Sequence, residues 1–233
     1  MFDFIRKPEL WDALDRGWCE VFDVGRAFHL KSIQDFAVYR RLKDAQGLDI
    51  LEVGGGDSRL LRQLAPYNRC FNLEKFEGAD VGPKQEVRID DVTNVNAFLG
   101  EFDPRLEADA LDVVFSVSVV EHVPTNRLDD FLADGLRVLR PGGLWLHAID
   151  MYLEDEVPDH ILTRFDVYRS WASPEKGCLP EGHVYSGPPR FSCDMATNPD
   201  NVLHDWGRLN PALTGLRQRA QSVSVLVASR KSG

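Results

Sequence analysis

Three consecutive glycines, Gly54-Gly55-Gly56, stand between a short apolar run, Asp49–Val53, and a helix-like stretch that begins at Ser58. Glycine has no Cβ, so a ligand can approach the backbone there, and the following helix offers its free N–H groups. Glu52 lies two residues before the loop. An anionic ligand would gain nothing from that carboxylate, whereas a ligand carrying an ammonium group would be held by it. A second carboxylate, Glu74, ends the next apolar run, Cys70–Leu73, 22 residues after Glu52. Nucleotide-binding α/β folds place an acid there, whose two oxygens accept from a ribose diol. Gly54 and Gly56 meet the dinucleotide pattern G-x-G-x-x-G, but Arg59 stands where the third glycine belongs. No Gly-Lys-Ser/Thr follows, which excludes a P-loop.

Acid–base candidates come later. Glu121-His122 follows the Val- and Phe-rich run Leu111–Val117. Histidine titrates near working pH, so His122 is a candidate general base; packing beside the ligand pocket is its alternative role. His147 and Asp150, three apart on a strand, point to opposite faces, so no shared metal and no metal site are expected. His160 is a second acid–base candidate. Arg164, Arg169 and Arg190 are candidates to grip an anion, and Tyr168, Trp171, Tyr185 and Trp206 lie in a segment suited to covering a substrate.

These residues need strands that end at one place. The sequence predicts strands at 49–53, 70–73, 86–89, 111–117, 144–149 and 221–229, with helices over 58–65 and 127–139. The face Leu128, Phe131, Leu132, Leu136 and Leu139 has helical spacing, and Pro141-Gly142-Gly143 turns that helix into the next strand. Residues 8–46 read as helical before all of this. Strands alternating with helices indicate an α/β, doubly wound, mostly parallel sheet of about seven strands. One domain over 1–233 is expected: N-terminal helices (1–47), a core (48–150), a Pro/Gly-punctuated late insertion (151–220) forming a lid or substrate cover, and the last strand (221–229).

Four segments in order resemble the class I S-adenosylmethionine-dependent methyltransferases of the broad small-molecule type. They are ILEVGGGDSRLL (50–61), Glu74, DVTNV (91–95), and LDVVFSVSVVEHVP (111–124) with LRVLRPGGLWL (136–146). The resemblance implies a Rossmann-like methyltransferase fold and S-adenosyl-L-methionine as cofactor. It implies that Glu52 meets the methionine amino group, that Gly54, Gly56 and Asp57 form the loop under the cofactor, and that Glu74 binds the ribose. Asp91 would accept from the adenine amine with Val92 packed on the ring, and Ser116 and Val117 would line the site. The Gly-Gly-Gly-Asp loop departs from the family's more frequent Gly-x-Gly-x-Gly. Ile149–Arg169 weakly resembles methyltransferases of bacterial cell-surface polysaccharide assembly, which implies a small-molecule or glycan acceptor. Two other classes share such a sheet: an NAD-dependent oxidoreductase, disfavoured by the absent third glycine, and a non-catalytic cofactor-binding relative.

Lys+Arg 27 against Asp+Glu 37 gives a net charge of −10, which disfavours DNA or RNA as a partner. No apolar run is long enough for a membrane span, and the first residues mix charges instead of forming a signal. A cytoplasmic protein is expected, with Cys19, Cys70, Cys178 and Cys193 as reduced thiols.

Overall fold

A computed structural model describes residues 1–23, 30–78, 82–154, 156–189 and 220–233. Eight strands form one mixed sheet: β1 (Phe2–Phe4), β2 (Asp49–Val53), β3 (Arg69–Leu73), β4 (Val92–Val95), β5 (Leu111–Val117), β6 (Leu139–Glu154), β7 (Cys178–Pro180) and β8 (Ala220–Lys231). The order is β1-β8-β6-β5-β2-β3-β4, with β7 also on β8. From β4 to β6 the ladder is parallel; β8 runs antiparallel to β6 and carries β1 and β7 antiparallel on its far side. The eighth strand, beyond the seven expected, arises because β1 and β7 share that edge, at Val225–Val227 and Ser229–Lys231 respectively.

Helices cover both faces, so the central strands are apolar on both. Ile50, Val113, Phe115, Leu144 and Leu146 face one core with α3 (Leu30–Leu42) and α4 (Arg59–Leu64). Leu51, Val53, Val114, Trp145 and Ile149 face the other, under α5 (Leu128–Val138) and α6 (Asp159–Ser170). Two further helices, α1 (Lys7–Asp15) and α2 (Trp18–Val21), precede α3. On α5 Leu128, Phe131 and Leu132 are buried as expected, but the buried stripe continues through Gly135 and Val138, while Leu136 is half-buried and Leu139 already belongs to β6. A Cβ at Gly135 would stand 2.1 Å from the Trp145 ring, so this glycine lets α5 settle onto β6.

Two expectations are corrected. The third strand is Val92–Val95, not 86–89: within 86–89 only Ile89 is buried, and β4, at the sheet edge, needs no continuous apolar run. The early part of 151–220 is core rather than cover. On α6, Phe165 meets Phe2 edge-to-face at 4.9 Å, and beyond it Trp171 stacks on Phe131 at 5.8 Å. Residues 190–219, with Arg190, Cys193 and Trp206, lie outside the described residues; Cys19, Cys70 and Cys178 are buried.

Candidate functional site

A cavity of about 900 Å³ opens at the carboxyl ends of β2, β3, β4 and β5, where open α/β sheets bind ligands. A smaller cavity of about 390 Å³ lies at the other end; of its cations, Arg140 pairs with Asp49 and Asp112, and Arg230 with Glu181.

The large cavity is built from the glycine loop. Gly54 has φ +66°, and its N–H donates to the Leu73 carbonyl at 2.8 Å, tying the loop to β3. At Gly55 a Cβ would come within 2.7 Å of Asn72 Oδ1 and 3.0 Å of the Glu52 carboxyl. The loop therefore lies directly on two buried polar side chains. Asn72 donates to the Gly56 carbonyl at 3.0 Å, and its Oδ1 is buried with no hydrogen-bond partner among the described residues. Glu52 is only 4% exposed. Ser58 caps α4 by accepting from the Leu61 N–H at 3.0 Å and donates its own proton to the Glu52 carboxylate. Burial, with Asp35's charge adding to it, pushes the Glu52 carboxyl up to about 8, against the pull of Ser58, Lys31 and Arg59.

The structure brings Glu52, Gly54, Gly56, Asp57, Glu74 and His122 to this one cavity. Asp57 is at the exposed rim, paired with Arg62. Glu74 follows β3; its N–H donates to the Val95 carbonyl at 3.1 Å and its Oε1 accepts from the Phe76 N–H at 3.3 Å. His122 sits in a 3₁₀ turn, with Nε2 3.8 Å from Glu121 Oε1.

Four cofactor residues expected from the sequence and one acid–base candidate do not line it. Val92 pairs with Cys70, so it and the exposed Asp91 lie at the amino end of β4, away from the cavity. The residues just beyond β4 that reach the cavity are Ala97, Phe98, Leu99 and Glu101. Ser116 and Val117 are still inside β5; Ser116 Oγ bonds His147 Nδ1 at 2.7 Å in the core, and the cavity begins with Ser118 and Val119. His160 is exposed on α6, outside the lining. In both strand cases the cavity starts past the last paired residue.

Sequence reasoning also missed Lys31 and Asp35, which reach the cavity from α3; Asp35 is held by Arg59 Nε at 2.9 Å. Arg164 grips backbone instead of a ligand: it donates to the carbonyls of Val120 (2.8 Å), Glu121 (3.1 Å) and Val123 (3.0 Å) and so fixes the turn that carries His122. Arg169 pairs with Asp166.

Residues 51–146, from the core of β2 through β6, match the family model described as a methyltransferase domain. The chain matches that model over less than half of its length. Its fold is that of Haemonchus contortus phosphoethanolamine N-methyltransferase 2, solved with S-adenosyl-L-methionine (16% identity, TM-score 0.58, 95% of this chain and 60% of that one). It is also that of geranyl diphosphate C-methyltransferase from Streptomyces coelicolor A3(2), solved with Mg2+, geranyl diphosphate and S-adenosyl-L-homocysteine (16% identity, TM-score 0.53, 87% and 79%). Among curated proteins, 151 residues of this chain are 26% identical to a chondramide synthase of Chondromyces crocatus; the match covers 61% of this chain and 4% of that one. Among the described residues, no helix is long and apolar enough to cross a membrane, and no His/Cys/Asp/Glu cluster suits a metal.

Proposed function

We propose that this protein transfers the methyl group of S-adenosylmethionine to an oxygen or nitrogen of a small-molecule or glycan acceptor. The observation that carries the reading is the juxtaposition of Glu52, the Gly54–Gly56 loop and Glu74 around one cavity. The residues present suit the cofactor. The buried Glu52 carboxyl and the unpartnered Asn72 Oδ1 supply acceptors for an ammonium group, and the glycine loop allows close backbone approach. Glu74 supplies the diol acceptor, and Ala97, Phe98 and Leu99 offer an apolar face to an adenine ring. Support for the cofactor also comes from the complexes of the fold's relatives with S-adenosylmethionine or its product.

The cofactor supplies a methyl group already activated by a sulfonium. The protein's work is then proximity and alignment: Glu52 and Glu74 hold the two ends, and Val119 closes the cavity against Gly54. A glycan or other small acceptor fits the net charge of −10 better than a nucleic acid does. The acceptor would enter from the side of Ser118 and His122.

Calorimetry tests the reading. S-adenosylhomocysteine is expected to bind, and Glu74→Ala to weaken it by about tenfold or more, the worth of a lost charged hydrogen bond. Binding of NAD without S-adenosylhomocysteine would favour an oxidoreductase instead. Binding of the cofactor with no transfer to any acceptor would favour a non-catalytic relative.

A further inference from the structure

Lysine and arginine line the large cavity at Lys31, Arg59 and Arg127, and two of these are engaged. Arg59 Nε donates to Asp35 at 2.9 Å. Arg127 Nε pairs with Asp130 at 3.0 Å, and its guanidinium also donates to the Gly100 carbonyl at 3.0 Å. Lys31, exposed on α3, makes no hydrogen bond or ion pair among the described residues. Its place follows from helix geometry. Lys31 stands in the first turn of α3, one turn before Asp35, so both side chains leave the same face with Cβ atoms about 6 Å apart. The Arg59 that holds Asp35 opens α4 beside Ser58, and Ser58 donates to Glu52. Lys31 is therefore carried to the end of the cavity where the buried Glu52 carboxyl and the unpartnered Asn72 Oδ1 lie. Burial raises both Asp35 and Glu52, and the Lys31 charge pulls each back down, consistent with that placement.

We propose that Lys31 holds the α-carboxylate of the bound cofactor while Glu52 takes the ammonium on the same carbon. This rests on the methyltransferase reading above. An α-amino acid carries both its charges on one carbon. A site that fixes the ammonium on a buried acid therefore needs its cation within a side chain's reach of that acid, and Lys31 is the cation so placed. The family match does not supply this group, because α3 lies outside residues 51–146; it comes from the helices that precede the core. The lysine ammonium is a compact charge on a flexible stem, so it stays solvated in the free protein and turns onto the carboxylate when the cofactor enters. The pair then selects an amino-acid end over a plain amine: Glu52 accepts either, and Lys31 rewards only the carboxylate. An anionic group on the acceptor is the other source of the same chemistry, and a test run without acceptor separates the two.

The test uses the full chain and calorimetry above about pH 8, where Glu52 is ionised. The probes are S-adenosylhomocysteine, its decarboxylated form, which keeps the ammonium, and methylthioadenosine, which has neither charge. Lys31→Ala is expected to weaken S-adenosylhomocysteine by about fivefold or more, the upper range of an exposed ion pair, and to leave the other two ligands unchanged. Lys31→Arg keeps the charge and is expected to keep most of the affinity. Glu52→Gln is expected to weaken both ammonium-bearing ligands and to leave methylthioadenosine alone, so the two variants divide the amino-acid end between them. Lys31 is exposed, so its variants are expected to melt in denaturant as the wild type does. A loss under about twofold for S-adenosylhomocysteine in Lys31→Ala, or an equal loss for the decarboxylated form, overturns the proposal. Failure of S-adenosylhomocysteine to bind the wild-type chain overturns the methyltransferase reading itself, and the wild-type titration alone shows it.

Discussion

Ser58 and Glu52 are joined by a hydrogen bond in which the serine that caps α4 also donates to the carboxyl of the next-to-last residue of β2. The cap thus fixes the orientation of the one buried acid in the glycine loop. Its proton is not enough to keep Glu52 ionised, because burial raises the carboxyl up to about 8. Ligand-free protein at neutral pH therefore holds Glu52 protonated, and a ligand ammonium must draw that proton off. The expected result is S-adenosylhomocysteine affinity that rises with pH, up to about tenfold per pH unit, and levels off above about 8. Calorimetry across pH 6 to 9 measures this, and Glu52→Gln is expected to flatten the profile.

The same shift affects stability in the opposite sense. The unfolded chain ionises Glu52 near the ordinary carboxylate value of 4.5 while the folded chain does not until about 8. Stability is full below the unfolded value, falls as pH rises between the two, and is constant above the folded one. Without ligand at pH 7, Glu52→Gln is expected to stabilise the fold by on the order of 2–3 kcal/mol. Denaturant melts at pH 4 and pH 7 check it: the gain should be absent at pH 4.

Gly55 predicts a site effect separable from folding. An added Cβ meets Asn72 Oδ1 at 2.7 Å and Glu52 at 3.0 Å, the two groups assigned to the ammonium. Gly55→Ala is expected to push them aside and weaken S-adenosylhomocysteine by about tenfold or more, equal to about 1.4 kcal/mol. The accompanying stability loss should stay within the about 1–3 kcal/mol of an overpacked position. Unchanged affinity would remove Glu52 and Asn72 from the ammonium site.

How much of this was legible in the sequence follows from which residues carry their own signal. β2 and β5 announce themselves because, covered on both faces, they are mostly apolar on both, as Ile50, Leu51, Val113, Val114 and Phe115 show. Glu52, Gly54 and Glu74 are legible because each is fixed by its distance from those strands. β4 is hidden because an edge strand with half-buried residues has no such run, and Asp91 and Val92 were misplaced with it. Ser116 and Val117 failed for a related reason: strand composition does not show that the cavity begins two residues later, at Ser118. Lys31 and Asp35 reach the site only through tertiary packing, so no local spacing marks them. β1 is three residues long, too short for Phe2 and Phe4 to reveal a period of two.

Gly135 bears on packing rather than on the site. Glycine inside a helix is unfavourable by about 1 kcal/mol against alanine, yet at 135 the Cβ of alanine would stand 2.1 and 2.5 Å from two carbons of the buried Trp145 ring. Overpacking is expected to outweigh propensity, so Gly135→Ala should destabilise by about 1–3 kcal/mol. Trp145→Phe should relieve the clash and recover part of the loss in the double variant, measured as a coupling energy in a double-mutant cycle.

Phe2 makes the last test, because it anchors a strand the sequence did not show. Its side chain is fully buried, meeting Phe165 of α6 edge-to-face, and its backbone is held on two sides: Phe2 pairs with Val227 of β8, and its N–H donates to the His183 carbonyl at 2.9 Å. One residue thus joins the first strand, the last strand and α6. Truncation leaves a cavity between packed aromatic rings that the paired backbone cannot close, and Phe2→Ala is expected to cost about 3–5 kcal/mol. Phe2→Leu, which keeps most of the volume, should cost less than half of that. The glycine loop lies at another part of the sheet, so S-adenosylhomocysteine affinity of the folded variants should stay at the wild-type value. A loss below about 1 kcal/mol for Phe2→Ala would show that β1 is dispensable to the sheet edge.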